Sequence, residues 1–94
     1  MHTIQFQEKS FHDGSPCYVL VVTVDVNDFE HISAAWKYVT QFVDTANEWC
    51  TENFGSEFDE KDKPARWGHV HFMERAEYMF EDRGDALQFK LRFA

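Results

Sequence analysis

DFEHISAAWKYVTQFVDTANEWCTEN, residues 28–53, is the stretch that decides the fold. Apolar residues recur in it at steps of three and four, which is typical of a helix with one continuous buried face. The predicted face consists of Ile32, Ala35, Trp36, Val39, Phe42, Val43, Ala46, Trp49, Cys50 and, just beyond, Phe54. Asn27 and Glu30 have the spacing of a capping box, Ser33 would mark a break near the start, and Gly55 suits a helix end. The stretch predicts one helix about 40 Å long, at about 1.5 Å per residue.

Two stretches before this helix have the pattern of strands. Residues 2–7 alternate, with Ile4 and Phe6 on one side, and residues 18–26, YVLVVTVDV, have the β-branched composition of a central strand. Residues 13–16, DGSP, lie between them and supply turn chemistry. The two stretches are therefore predicted to pair as a hairpin.

The chain after the helix predicts a second hairpin. Residues 56–64 are polar and lack a period, which is typical of a loop. Residues 67–73 then alternate, and residues 78–81 follow a polar turn at 74–77.

The C-terminal stretch fits two patterns. Asp82 can cap a short helix, but Leu87, Phe89, Leu91 and Phe93 also alternate as they would in a strand. A short helix that runs into a terminal extended segment is the favoured interpretation.

The resulting order is β-β-α-β-β-α with an optional last strand. Without the first strand it becomes β-α-β-β-α-β, the ferredoxin-like order, in which both helices cover one face of the sheet. We therefore predict a single α+β domain over residues 1–94. Its ferredoxin-like sheet would have four to five mostly antiparallel strands, with one long and one short helix on one face. This architecture carries many unrelated activities and predicts none by itself.

Composition and charge narrow the class of partner. The chain has 44% hydrophobic residues and a formal net charge of −8, from 17 acidic against 9 basic residues. Such a charge opposes direct binding to nucleic acid or to an anionic membrane, so a partner with a basic surface is expected. We find no export signal and no apolar run that could cross a bilayer, which predicts a cytoplasmic protein. Cys17 and Cys50 are expected to be reduced, with a disulfide between them as the alternative.

Acidic side chains are concentrated between residues 44 and 62, a segment with seven acidic residues and one basic residue. The candidate partner-binding residues are Asp44, Glu48, Glu52, Glu57, Asp59, Glu60 and Asp62. The first three are four residues apart, so they stack along one side of the helix at intervals of about 6 Å. This interval is close to that of successive phosphates along a nucleic-acid strand. The pattern predicts a phosphate-mimicking surface for a basic groove; the alternative is that the charges only keep the protein soluble.

A second pattern concerns the histidines. His69 and His71 point to the same side of one predicted strand, and Glu74 is close in sequence, so the three could chelate a metal. A further ligand would have to come from His2, His12 or His31. Packing under a helix is the alternative explanation, and no cofactor is predicted.

The aromatic residues of the second hairpin have two interpretations. Trp67, Tyr78 and Phe80 could stack on the bases of RNA, or they could form the core. No nucleophile–base signature and no phosphate-binding glycine loop is found, so the chain is not expected to be an enzyme.

Residues 80–93, FEDRGDALQFKLRF, resemble the ending of small uncharacterised tailed-bacteriophage proteins. The resemblance implies an accessory protein that works inside an infected bacterium. With the acidic segment, this predicts a phage-type protein that binds, and inhibits, a host protein such as a defence or nucleic-acid-handling factor, with Trp49 or Trp67 as an exposed anchor. The first alternative is an oligomeric structural or accessory protein whose sheet edges pair between copies, and the second is a His-based metal enzyme.

Overall fold

The computed structural model describes residues 2–10, 14–55, 57 and 66–94. Two strands, β1 (His2–Ser10) and β2 (Pro16–Val24), come first. A 3-10 turn (Val26–Asp28) leads to the helix α1 (Ile32–Phe54). The strands β3 (Trp67–His71) and β4 (Arg75–Phe80) and the helix α2 (Arg83–Phe93) complete the chain.

The four strands form one open sheet in the order β1-β2-β4-β3, and every neighbouring pair is antiparallel. Both predicted hairpins are confirmed. The turn of the second hairpin lies earlier than the predicted 74–77. A hydrogen bond of 2.7 Å from Phe72 N–H to the carbonyl of Arg75 closes it. β2 and β3 both run antiparallel to β4 between them, so they are parallel to each other and α1 connects them.

The start of α1 differs from the prediction. The carboxylate of Asp25 accepts a hydrogen bond from Asn27 N–H at 2.9 Å, so residues 26–28 form the 3-10 turn. Short polar side chains often compete with the helix in this way. α1 therefore begins at Ile32, and its N-cap residue His31 makes no side-chain capping bond. The predicted end is confirmed: Gly55 follows Phe54 with φ 89°, a conformation that favours glycine.

The C-terminal segment is a helix as far as Phe93, so the predicted terminal extended segment and optional last strand are wrong. The predicted cap is confirmed, since the Asp82 side chain accepts from Gly84 N–H at 2.6 Å and from Asp85 N–H at 3.2 Å. The capped helix buries Ala86 and Phe89. A strand would instead have placed Leu87, Phe89 and Leu91 on the same face. Of the strands that the structure describes, β1 is the one beside β2 on its outer side.

Both helices pack on the same face of the sheet, as predicted. Tyr78 lies at the centre of this core: its ring centroid is 4.6 Å from that of Phe89 on α2, and its hydroxyl donates to Asn47 on α1. The buried core residues of the helices are Ala35, Val39, Val43, Ala46, Cys50, Phe54, Ala86 and Phe89. The chain is therefore an α+β domain with an antiparallel sheet and two helices on one face.

α1 is longer than the strands that it covers. Its 23 residues span about 34 Å, whereas the six residues of β4 span about 20 Å. Near the start of α1, Ile32 and Trp36, both predicted to be buried, are 53% and 48% exposed, whereas Ala35 between them is buried in the core. Neither helix of the described part of the chain is long and apolar enough to cross a membrane.

Candidate interaction surface

Three of the predicted acidic residues lie together on the outer side of α1. Val43, Ala46 and Cys50 are buried on the core side of the helix, while Asp44, Glu48 and Glu52 are exposed. Their i, i+4, i+8 spacing aligns them in a row with intervals of about 6 Å. We call Asp44, Glu48 and Glu52 the acidic ridge.

No cation neutralises the acidic ridge within the described residues. Lys37 is the only basic residue of α1, and no Lys or Arg stands three or four positions from any ridge residue. The ion pairs of the described residues join Arg66 to Asp85, Arg75 to Glu77 and Arg83 to Glu8. The negative charge of the ridge is therefore available to another molecule.

The remaining predicted partner-binding residues do not join the ridge in the described structure. Glu57 turns back onto the sheet, where its carboxylate accepts from the backbone N–H of His69 at 2.9 Å and contacts the Nδ1 atom of the same histidine. A carboxylate held in this way is satisfied internally. Asp59, Glu60 and Asp62 lie outside the described residues.

The Glu57 contact continues as a chain of polar side chains into the core. Asn47 Nδ2 lies 3.3 Å from His69 Nε2, and the hydroxyl of Tyr78 donates to Asn47 Oδ1 at 2.7 Å. Asn47 can donate to Nε2 only if that nitrogen carries no proton, so His69 then donates from Nδ1 to Glu57. Both ring nitrogens of His69 are occupied, and the chain anchors α1 and residue 57 to β3 and β4.

The predicted metal-ligand histidines that lie in the described part of the chain do not converge. His71 is exposed two residues beyond His69, and His2 is engaged elsewhere, with Tyr38 Oη at 2.8 Å and the carbonyl of Phe93 at 2.6 Å. His31 lies at the start of α1, and His12 is outside the described residues. Across residues 2–10, 14–55, 57 and 66–94, no three His, Cys, Asp or Glu side chains are grouped so that they could hold a metal ion.

The aromatic residues considered for base stacking belong to the core. Trp67 is 2% exposed, and Tyr78 and Phe80 are fully buried beneath the helices. Trp67 is further fixed by a hydrogen bond of 2.8 Å from Nε1 to the carbonyl of Gly55. The hypothesis that these rings form an exposed surface is wrong, and Trp67 cannot act as an anchor for a partner.

The two cysteines are free thiols, as expected, and both are buried. Burial raises the pKa of Cys50 to about 12, with smaller contributions from the negative charges of Glu57 and Asp85. Burial likewise raises the pKa of Cys17. Neither thiol is activated as a nucleophile, because the neutral form is favoured at both positions.

The sequence interpretation missed a group of exposed hydrophobic side chains that includes Trp36. Apolar periodicity alone assigned Ile32 and Trp36 to the buried face. No local signal separates Ile32 and Trp36 from the buried face, because both lie at the same steps of three and four as the core residues. Comparison of the chain with family models, with curated proteins and with solved structures finds no match.

Proposed function

We propose that this protein binds a partner protein that has a basic surface, and that the acidic ridge is the recognition element. The single observation that carries the proposal is the row of three exposed carboxylates without a neutralising cation in the described residues. Charge concentrated in this way steers an oppositely charged partner and accelerates association.

The position of the ridge supports a binding role over a purely solubilising one. Like charges four residues apart destabilise a helix by a few tenths of a kcal/mol per pair. Glu52 also lies in the last turn, which contains no basic residue and where the helix dipole favours positive charge. Acidic residues that only improve solubility could stand at many exposed positions without these costs.

The spacing of the ridge favours a groove that ordinarily receives phosphates. Side chains at intervals of about 6 Å along a straight helix place negative charges at nearly the separation of successive phosphates. We therefore propose a nucleic-acid-handling or defence protein of the host as the partner, with inhibition by occupation of its basic groove. The setting in an infected bacterium rests on the resemblance of residues 80–93 to phage proteins, and the polypeptide would act in the cytoplasm.

We also interpret the fold as a ferredoxin-like variant. The β2-α1-β3 unit with β4 inserted between its strands corresponds to the first part of that arrangement. In this interpretation β1 takes the place beside β2 that a final strand would otherwise occupy.

The proposal is tested by affinity capture from bacterial lysate with a matched pair of triple variants. Asp44→Asn, Glu48→Gln and Glu52→Gln together remove the ridge charge. Glu8→Gln, Asp13→Asn and Glu81→Gln remove the same amount of charge outside the ridge. A partner that is captured by the wild type and by the control, but lost with the ridge variant, supports the proposal.

Two results would overturn it. Equal capture by both variants would mean that the ridge does not contact the partner. Equal loss with both variants would mean that only net charge matters. Circular dichroism of all three proteins verifies that any lost binding does not result from unfolding.

A further inference from the structure

Exposed hydrophobic side chains are gathered at one end of the sheet. Eight large hydrophobic side chains are exposed among the described residues, and six of them lie on segments that meet at this end. The six, which we call the apolar end, are Val26, Ile32, Trp36, Val70, Phe72 and Met73. Val70 lies on the sheet face away from α1, because it pairs with Glu77 next to the core-facing pair of His69 and Tyr78.

The topology brings these segments together. β2 ends at Val24, whose N–H donates to the carbonyl of Glu74, in the turn between β3 and β4, at 3.2 Å. The 3-10 turn begins two residues after Val24, and α1 starts soon after it. The β3–β4 turn, the 3-10 turn and the first turns of α1 therefore share one end of the domain.

The exposure at this end is larger than folding requires. Met73 is 54% exposed and Trp36 is 48% exposed, although Ala35 and Val24 at the same end are buried in the core. Single exposed hydrophobic residues are normal on a protein surface, but a group of them that includes a tryptophan is typical of an interaction site.

The charges around the apolar end indicate which partner fits. Four exposed acidic residues surround it: Asp25, Asp28, Glu30 and Glu74. Of the two basic residues nearby, Arg75 is engaged by its own chain, since its guanidinium lies 4.4 Å from the centroid of the Phe72 ring and 3.8 Å from Glu77. Lys37 is the other.

We infer that the apolar end binds a segment of a partner protein in which aromatic or aliphatic residues are flanked by Lys or Arg. The apolar residues of that segment cover Trp36 and Met73, and its cations meet the acidic rim. The inference deepens the proposed function, on which it rests for the basic character of the partner, by naming where that partner is anchored.

A second copy of this chain fits the apolar end poorly. A two-fold symmetric contact would bring the acidic rims of both copies face to face. A basic partner does not meet this obstacle.

The test is selection from a display library of random peptides of about 12 residues on the immobilised protein. Peptides in which apolar residues are flanked by Lys or Arg are expected to be enriched. Their Kd should rise about ten-fold or more for Trp36→Ser/Met73→Ser. The matched control Leu87→Ser/Leu91→Ser changes the two exposed leucines of α2 and should leave Kd within about two-fold.

The inference is overturned if no peptide is enriched, if the enriched peptides lack basic residues, or if both double variants weaken binding equally. Sedimentation that reveals a dimer lost on Trp36→Ser/Met73→Ser would assign the apolar end to a second copy and would also overturn it. The ridge variant separates the two proposals. If Trp36→Ser/Met73→Ser weakens peptide binding and the ridge variant does not, the result supports the inference alone. If the ridge variant weakens peptide binding and Trp36→Ser/Met73→Ser does not, the result supports the proposed function alone.

Discussion

Arg66 donates two hydrogen bonds to Asp85, from Nε to Oδ2 at 3.0 Å and from Nη2 to Oδ1 at 2.8 Å. The side chain of Asp85 is only 5% exposed, whereas that of Arg66 is 54% exposed. The pair joins the residue before β3 to the first turn of α2, so it fastens the second helix to the sheet. A buried carboxylate without its cation is strongly destabilising, which makes this pair the one with the largest expected effect on stability.

Arg66→Met should lower the free energy of unfolding by about 2 kcal/mol, because Asp85 would remain buried without its two charged donors. Arg83→Met is the matched control: Arg83 Nε is 3.8 Å from Glu8, and both side chains are more than 60% exposed. The control should change the free energy by about 0.5 kcal/mol or less. Urea denaturation measures both, and equal losses would contradict the assigned role of the Arg66–Asp85 pair.

The hydrogen bond between Tyr78 and Asn47 should couple the sheet to α1. Tyr78→Phe removes the donor and leaves the Asn47 carbonyl without it, which should cost about 1 kcal/mol of unfolding free energy. A double-mutant cycle with Asn47→Ala should give a coupling energy of about 1 kcal/mol. Tyr18→Phe is the control, since Tyr18 is only partly buried at the margin of the core beside Phe6. Strictly additive losses would mean that the two side chains do not interact.

Alkaline pH should destabilise the protein through Cys50. Its pKa rises from 9.0 in the unfolded chain to about 12 in the folded protein, mainly because of burial. The stability that the neutral thiol contributes is intact below pH 9.0 and is lost as the pH rises from there towards about 12. Between these two pH values, the loss of unfolding free energy caused by this thiol approaches about 1.4 kcal/mol per pH unit.

Cys50→Ala provides the readout for this effect. The variant should be less stable at neutral pH, because a fully buried side chain becomes smaller, but its stability should fall less steeply with rising pH than that of the wild type. Burial also raises the pKa of Tyr78, so some alkaline loss will remain. Identical pH slopes for the two proteins would contradict the buried position of the thiol.

Removal of the ridge charge should stabilise the isolated protein. Asp44→Asn/Glu48→Gln/Glu52→Gln relieves two like-charge contacts and the unfavourable charge in the last turn of α1, and should add about 0.5–1 kcal/mol. Thermal and urea unfolding measure the gain, and the charge control Glu8→Gln/Asp13→Asn/Glu81→Gln should not reproduce it. A loss of stability on ridge removal would mean that these carboxylates serve the fold.

Several features of the fold could be predicted from local sequence because they depend on local chemistry. The core side of α1 from Val39 onward followed from its period, its end followed from Gly55, and the cap of α2 followed from Asp82. The start of α1 could not be predicted, because an Asp25 side-chain bond competes with helix extension.

Other features depended on tertiary packing and could not be predicted from the sequence pattern. Both C-terminal alternatives fitted residues 86–93, and burial of Phe89 against Tyr78 and Phe80 decided for the helix. The candidate site was predicted in part: the acidic ridge is exposed, but Glu57 belongs to the polar chain through His69. No periodicity indicates that contact, since it joins residues 12 positions apart through the folded sheet.

The central claim is that the acidic ridge is an open negative surface that recognises a basic partner. The most direct measurement is the association rate constant of the captured partner at about 0.05 M and about 0.5 M NaCl, for the wild type, the ridge variant and the matched charge control. The rate for the wild type and the control should fall steeply with salt, and the rate for the ridge variant should be lower and nearly independent of salt. Equal salt dependence in all three proteins, or none in the wild type, would contradict the account.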